Sequence, residues 1–158
     1  MPAHGFAIRT LDPGSNSAAE LLALSDAHMA RLYPAASNHP VAAATLATAG
    51  TLFIGAYAGG SLAGCAATRL LDGDGRYGEI KRLFVLDRYR GRGIARALME
   101  RLEQHLRDHG VDCARLETGV LQPEARALYL ALGYTERAAF GEYAPDPLSL
   151  FMEKRLTV

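Results

Sequence analysis

The periodicity of the apolar residues changes abruptly after Asp87, and this change fixes the centre of the fold. The segment before it, Glu79–Val85, has the composition of a strand and ends an antiparallel run. The apolar residues beyond it recur at every fourth position: Ile94, Leu98, Leu102 and Leu106. This spacing predicts an amphipathic helix, and Gly110 is placed to end it. The chain therefore has to fold around a strand that turns tightly into a helix.

Strand and helix signals continue on both sides of this centre without an internal repeat. The further predicted elements are a strand at Phe6–Thr10, a helix ending at Tyr33, a short helix at Val41–Thr48, strands at Thr51–Tyr57, Leu62–Leu70 and Ala114–Thr118, a helix between Pro123 and Gly133, and strands at Tyr134–Arg137 and Leu148–Arg155. Gly59 and Gly60 predict a hairpin turn between two of the strands. We therefore expect an α/β protein with a single mixed, mostly antiparallel sheet flanked by helices.

Composition and charge narrow the class of protein further. The 158 residues, 49% hydrophobic and 22% charged, suit one globular domain over residues 1–158. Seventeen basic and seventeen acidic residues balance, which gives no general attraction to nucleic acid or to an anionic membrane. Glycines interrupt the uncharged stretch from Pro40 to Thr68, so two strands and a turn explain it better than a membrane span. Arg9 and Asp12 precede any apolar run, unlike a secretory signal, and we expect a cytoplasmic protein.

The cysteines and histidines give no sign of a metal or a disulfide. Cys65 and Cys113 both lie in apolar stretches of predicted strand, which favours two buried, reduced thiols. Three histidines, His28, His105 and His109, lie in predicted helices without the spacing of metal ligands. We therefore expect no metal site.

The segment Arg88–Arg96 joins the central strand to the central helix and contains Gly91 and Gly93. A helix N-terminus offers free backbone N–H groups, and glycines let a phosphate approach them closely. The alternative is a tight turn whose arginines are simply solvated, and the turn alone leaves the two interpretations about equal. The spacing is neither that of a P-loop nor that of a dinucleotide-binding turn.

The same segment resembles the Gln/Arg-x-x-Gly-x-Gly/Ala motif of the GNAT acetyltransferases. A second block, Gln122–Tyr134, is similar to the family's segment ending in Ala-x-x-Leu-Tyr-x-x-x-Gly-Phe/Tyr. The two blocks occur in the family's order, and the resemblance extends from about Leu52 to the C-terminus. It implies the GNAT acyl-CoA N-acyltransferase fold and an enzyme that moves the acetyl group of its co-substrate acetyl-CoA to an amine.

The resemblance also implies which residues hold acetyl-CoA. The backbone of Leu83, Phe84 and Val85 would pair with the pantetheine arm. The residues implied around the pyrophosphate are Arg90, Gly91, Arg92, Gly93, Ile94, Ala95 and Arg96, with Arg88 as the alternative to Arg90 in another register. Gln122 stands where many members carry asparagine, which puts that cofactor contact in question.

The resemblance assigns catalytic roles to two side chains. Tyr129 matches the tyrosine proposed to protonate the leaving thiolate, and its alternative role is to pack a helix on the sheet. Glu79 is similar in position to the glutamate that some members use as general base. Its alternative is a strand-end charge paired with Lys81 or Arg82 on a solvated face, and Glu117 is a second candidate base.

The acceptor remains open at this level. Candidates for its pocket are Tyr33, Ser37, His39 and the loop Phe140-Gly141-Glu142-Tyr143, each of which has ordinary loop chemistry as its alternative. A small amine, an amino acid or a protein terminus would all fit direct transfer in a ternary complex. The other class of function is a non-catalytic acyl-CoA-binding sensor module. The oligomeric state is open as well, with a homodimer among the alternatives.

Overall fold

The computed structural model describes residues 5–37 and 42–157 of the chain. The strands are β1 (Ala7–Thr10), β2 (Thr51–Ala58), β3 (Ser61–Gly73), β4 (Gly75–Val85), β5 (Cys113–Gly119), β6 (Thr135–Arg137) and β7 (Ser149–Arg155). The helices are α1 (Asn16–Leu32), α2 (Ala43–Leu46), α3 (Ile94–Asp108) and α4 (Pro123–Ala131). These elements confirm the predicted order, and the predicted start of α2 at Val41 lies outside the described residues.

The strands form one seven-stranded sheet in the order β1-β2-β3-β4-β5-β7-β6. Among the strands of the described residues, only β4 and β5 run parallel, and every other neighbouring pair is antiparallel. The expected mixed, mostly antiparallel sheet is therefore confirmed. The parallel pairing is short, since it joins Gly78–Ile80 to Ala114–Leu116 and extends no further.

A bulge in β4 lies just beyond this short pairing. The register between β3 and β4 shifts between Cys65 and Ala67, and Arg82 adopts a φ of 60°, in the left-handed region. A β-bulge bends its strand and sharpens the local twist. The bend falls where β4 and β5 stop pairing, so the two strands diverge toward their C-terminal ends and leave a gap in the middle of the sheet.

Helices cover both faces of the sheet. The stripe predicted for α3 is buried, with Leu98, Leu102 and Leu106 fully inaccessible to solvent. It packs in the larger core cluster, which also takes Tyr129 from α4. On the opposite face, α1 buries Leu21 and Leu22 in a second cluster. Ser15 caps α1, because its Oγ accepts a hydrogen bond from the Ala18 amide at 3.2 Å.

The hairpin between β3 and β4 is very tight, and the strand that follows it starts earlier than predicted. Gly73 pairs with Gly75, so Asp74 alone forms the tip, and β4 begins at Gly75 rather than at Glu79. The Arg115 guanidinium donates to Asp74 at 2.6 Å and draws the tip onto β5. A long-range ion pair of this kind leaves no local signal in the sequence.

Two expectations from the sequence, about a membrane span and about the cysteines, can be compared with the structure. Within the described residues, no helix combines the length and the apolar character needed to cross a membrane. Cys65 and Cys113 are both buried and neither forms a disulfide, as predicted. Burial raises the pKa of the Cys65 thiol to about 12, with a small opposing effect of the Arg82 charge.

Candidate active site

The glycine-rich turn leaves an open backbone surface at the start of α3. Gly91 and Gly93 have φ values of 78° and 81°, and apart from their chain neighbours no atom of the described residues lies within 4 Å of the place that a Cβ would occupy on either one. Gly93 is the N-cap of α3, and no side chain caps the helix there. The first N–H groups of α3 therefore point into open space with the positive end of the helix dipole behind them. A phosphate or pyrophosphate group fits this arrangement.

The arginines of this turn serve more than one purpose. Arg90 ties the turn to β4, because its Nε donates to the Val85 carbonyl at 3.2 Å and its guanidinium pairs with Asp87 at 3.0 Å. Arg88 and Arg92 both lie against the Tyr89 ring, at 5.0 and 5.3 Å from its centroid. Half of the Arg90 side chain remains exposed. The turn is thus held in shape by the same charges that would surround a bound pyrophosphate.

Several other residues predicted to bind the cofactor have buried or half-buried side chains, so that mainly their backbone is accessible to a ligand. The Ile94 side chain is buried in the core, which leaves its backbone for a ligand, while Ala95 is half-buried and Arg96 is exposed. Val85 is buried, and Phe84 pairs in the sheet with Cys65 of the neighbouring strand β3. Because the pairing of β4 with β5 stops at Ile80, the β5-facing backbone edge at Leu83–Val85 has no strand partner among the described residues.

A small cavity of about 120 Å³ opens where β4 and β5 diverge. It is lined by residues from α1, β4, β5 and α4, among them Tyr33, Ser37, Lys81, Leu83, Glu117, Gln122 and Tyr129. Leu83, at one end of the unpaired edge of β4, lines this cavity. An extended ligand bound along that edge would therefore reach the cavity. We call it the inner cavity.

Tyr129 lines the inner cavity and is itself almost fully buried. The residue is 6% exposed, and its hydroxyl makes no hydrogen bond within the part of the chain that the structure describes. Burial raises the pKa of the phenol, and the charge of Glu117 raises it further. Its ring packs edge-on against Tyr134, whose own hydroxyl donates to Glu103 at 2.8 Å. Tyr129 is therefore a protonated donor whose hydroxyl has no hydrogen-bond partner among the described residues.

Gln122 also lines the inner cavity, but Tyr33 engages its side chain. The Tyr33 hydroxyl donates to the Gln122 Oε1 at 3.3 Å and accepts from the Leu121 amide at 3.0 Å. Tyr33 thus fastens α1 to the loop between β5 and α4. Ser37, the other described acceptor candidate at this cavity, donates to Asp146 at 2.6 Å. His39 lies outside the described residues.

Glu79 lies elsewhere, on a wide groove of about 550 Å³ beside the inner cavity. The groove is also lined by Arg69, Tyr77, Lys81 and the loop Phe140-Gly141-Glu142-Tyr143. Glu79 is only 4% exposed, so it does not lie on a solvated face, but its pairing with Lys81, the other part of that alternative, is present. It lies 3.8 Å from Lys81 and 3.9 Å from Arg69, while Arg82 pairs instead with Asp26 of α1 at 2.5 Å.

The structure separates the two residues predicted to be catalytic. Tyr129 lines the inner cavity, and Glu79 is not among the described residues that line it, whereas Glu117 is. Lys81 lines both spaces and was missed as a site residue. Its alternation with Glu79 along β4 was the available signal, because residues two apart on a strand share a face.

Comparison with known proteins shows the family and the fold of the chain. Residues 19–134 match the model of the acetyltransferase (GNAT) family. A protein of Azospirillum brasilense named IAA acetyltransferase is 44% identical over 144 residues, which cover 91% of this chain and 94% of the relative. A Klebsiella pneumoniae protein of known structure, provisionally described as an acyl-CoA N-acyltransferase, is 32% identical, with a TM-score of 0.81 over 98% of this chain and 99% of that one. The PaiA N-acetyltransferase of Thermoplasma acidophilum, solved in complex with coenzyme A, shares the fold at 17% identity, with a TM-score of 0.68 over 95% of this chain and 98% of the other.

Proposed function

Because the chain belongs to the acetyltransferase (GNAT) family and is an acyltransferase that uses an acyl-CoA donor, we propose that it transfers acetyl from acetyl-CoA directly to an amine. The observation that carries this proposal is Tyr129, a buried residue at the inner cavity whose phenol is protonated and makes no hydrogen bond to the described residues. The Azospirillum relative, named as an acetyltransferase, supports acetyl as the group that is moved.

The residues present fit acetyl-CoA, which would supply an acetyl thioester. The backbone N–H groups behind Gly91 and Gly93 would hold the pyrophosphate, because the cradle is open and the helix is uncapped. The unpartnered edge at Leu83–Val85 would bind the pantetheine arm as an added strand. These contacts end at the inner cavity, where Tyr129 and Glu117 line the space for the reacting groups.

Tyr129 would hold the proton that the departing sulfur requires. Its raised pKa keeps it protonated before reaction, and the same burial makes a thiolate in this cavity a stronger base than in water. The proton can move only when the hydroxyl lies within hydrogen-bond distance of the sulfur. The position of the hydroxyl relative to the sulfur therefore matters more than its acidity.

The acceptor nitrogen would enter the inner cavity from the side of α1. Tyr33 and Ser37 line that side, together with Ser25, Asp26 and Met29. Polar groups in so small a cavity suit a small amine whose nitrogen has to meet a carbonyl carbon. Glu79 stays our proposed final acceptor of the amine proton, at a position that is not in the inner cavity itself.

A thiol-release assay with a library of amines tests the proposal. Free CoA should appear only with a suitable amine, and the acetylated amine should appear in equal amount. Replacing Gly93 by Val is the matched inactive control, because it blocks the phosphate cradle outside the inner cavity. Acetyl-CoA binding without turnover by any amine would instead favour the non-catalytic acyl-CoA-binding module. The homodimer and the cytoplasmic location stay predictions from the sequence.

A further inference from the structure

Three side chains form a directional chain of hydrogen bonds between the inner cavity and the groove. The Lys81 ammonium donates to the hydroxyl oxygen of Tyr143, and that hydroxyl donates in turn to the Glu79 Oε2 at 2.6 Å. The Lys81 and Glu79 side chains are 8% and 5% exposed. Each donor in the series has its acceptor in place, so a proton leaving Lys81 has a continuous path to Glu79.

The two ends of this chain of hydrogen bonds lie in different spaces. Lys81 lines the inner cavity that also contains Tyr129, as well as the groove. Glu79 and Tyr143 line only the groove, which is the larger of the two spaces. The three side chains therefore form the boundary between the proposed reaction site and the groove.

The electrostatics of this boundary suit the movement of a proton. Burial lowers the pKa of Lys81, although the charges of Glu79 and Glu117 oppose this effect. Burial, together with the charge of Glu79 and the hydrogen bond to it, raises the pKa of Tyr143. Lys81 thus releases a proton more readily than an exposed lysine does, and Tyr143 passes a proton on without holding a negative charge.

We propose that Lys81, Tyr143 and Glu79 form a proton relay that carries a proton from the acceptor's ammonium group in the inner cavity to the groove. The proposal rests on the proposed function, since it supplies the unprotonated amine that direct transfer needs. It makes Lys81 the catalytic base that meets the acceptor, while Glu79 receives the proton through Tyr143.

The proton transfers of the relay balance over one catalytic cycle. Lys81 passes a proton to the Tyr143 oxygen as Tyr143 passes its own to Glu79, which leaves a neutral amine and a carboxylic acid. Neutral Lys81 then takes a proton from the acceptor's ammonium group, and Glu79 releases one to water in the groove. Of the three ammonium protons, one leaves by this route, one reaches the CoA sulfur by way of Tyr129, and one remains on the amide nitrogen.

Tyr143→Phe tests the relay, because it keeps the ring that packs against Phe140 and Phe151 and removes only the hydroxyl. We expect kcat with the best amine to fall about 10-fold or more, while the KM for acetyl-CoA stays the same. Tyr134→Phe is the matched control: it also deletes a tyrosine hydroxyl that donates to a buried glutamate, but Tyr134 lines neither space. The control should lose stability and keep its kcat.

The double variant with Tyr143→Phe and Glu79→Gln separates a relay from two independent roles. Residues that act in series give a double variant no slower than the slower single variant, whereas independent contributions multiply. A kcat for Tyr143→Phe equal to that of Tyr134→Phe, or multiplicative losses in the double variant, would overturn the relay. Failure of the wild-type chain to acetylate any amine would overturn the proposed function instead, so the two failures are distinguishable.

Discussion

The hydroxyl oxygen of Tyr33 lies 1.8 Å from the place that a Cβ atom would occupy at Gly119. The ring of Tyr33 therefore packs directly on the backbone of Gly119 at the end of β5, and any residue with a Cβ would clash with it. In this position the Tyr33 hydroxyl forms hydrogen bonds with Leu121 and Gln122, on the loop that leads into α4 and Tyr129. The contact joins the acceptor side of the inner cavity to the helix that carries the proposed acid.

Gly119→Ala should displace Tyr33 and destabilise the protein by about 1–3 kcal/mol, the usual cost of overpacking a well-packed site. Thermal unfolding measures the loss. In a Tyr33→Ala background the clash is gone, so the same substitution at Gly119 should cost far less. Equal losses in the two backgrounds would show that the steric contact is not what selects glycine here.

Gly93→Val should abolish the increase in melting temperature that acetyl-CoA causes, because a branched side chain would fill the open cradle at the start of α3. Gly60→Val is the matched control: Gly60 has a φ of 82° against 81° for Gly93, and a Cβ meets open space at both. The two variants should lose similar stability through backbone strain, and only Gly93→Val should lose the ligand response.

Acetylated pantetheine without the pyrophosphate should shift the melting temperature of the wild type much less than acetyl-CoA does. The reason is that the α3 N-terminus contributes only through phosphate groups. Equal shifts from the two ligands, or a normal response in Gly93→Val, would count against the cradle.

Local patterns predicted most of the fold. The spacing of Ile94, Leu98 and Leu102 identified α3, and glycine placement identified the turns on either side of it. These features depend on neighbours within one turn of helix or one hairpin, which the sequence shows directly. The same is true of Tyr129, which lies on a helix whose register places it toward the sheet.

The separation of Glu79 from Tyr129 could not be predicted in the same way. It depends on where β4 parts from β5, next to a left-handed Arg82, a conformation that composition does not indicate. The partnership of Tyr143 with Glu79 joins positions 64 apart in sequence. Such contacts are set by the packing of the whole sheet, so one sequence provides the residues of the site but not their arrangement.

Glu153→Gln should destabilise the protein at neutral pH and lose its effect in acid. Burial raises the pKa of the Glu153 carboxyl, but hydrogen bonds from Arg115 at 2.8 Å, from Cys113 and from Arg137 outweigh it and hold the pKa below its usual range. A lowered folded-state pKa contributes stability above the unfolded pKa, and this stability is lost as pH falls through the folded value. The gap in melting temperature between wild type and variant should therefore be full at pH 7 and shrink below about pH 4.

Cys113→Ala is the control for this titration, because it removes one hydrogen bond to Glu153 and leaves the carboxylate and both arginines in place. The difference in melting temperature between this variant and the wild type should depend less on pH than the difference for Glu153→Gln. A gap for Glu153→Gln that stays constant from pH 7 to pH 3 would show that the carboxylate's charge contributes nothing to folding.

Tyr129→Phe should lower kcat by about 10²-fold or more and leave acetyl-CoA binding almost unchanged, because it removes the proposed proton donor and keeps the ring. The ring is what packs against Tyr134, and the hydroxyl makes no hydrogen bond within the described residues, so the melting temperature should hardly move. Steady-state kinetics, cofactor titration and thermal unfolding on one preparation separate the two roles. Tyr134→Phe serves as the reference, since it loses a real hydrogen bond to Glu103 and should give the opposite pattern of reduced stability with normal turnover. Near-normal turnover by Tyr129→Phe would leave Tyr129 as a packing residue and would require another proton donor for the sulfur.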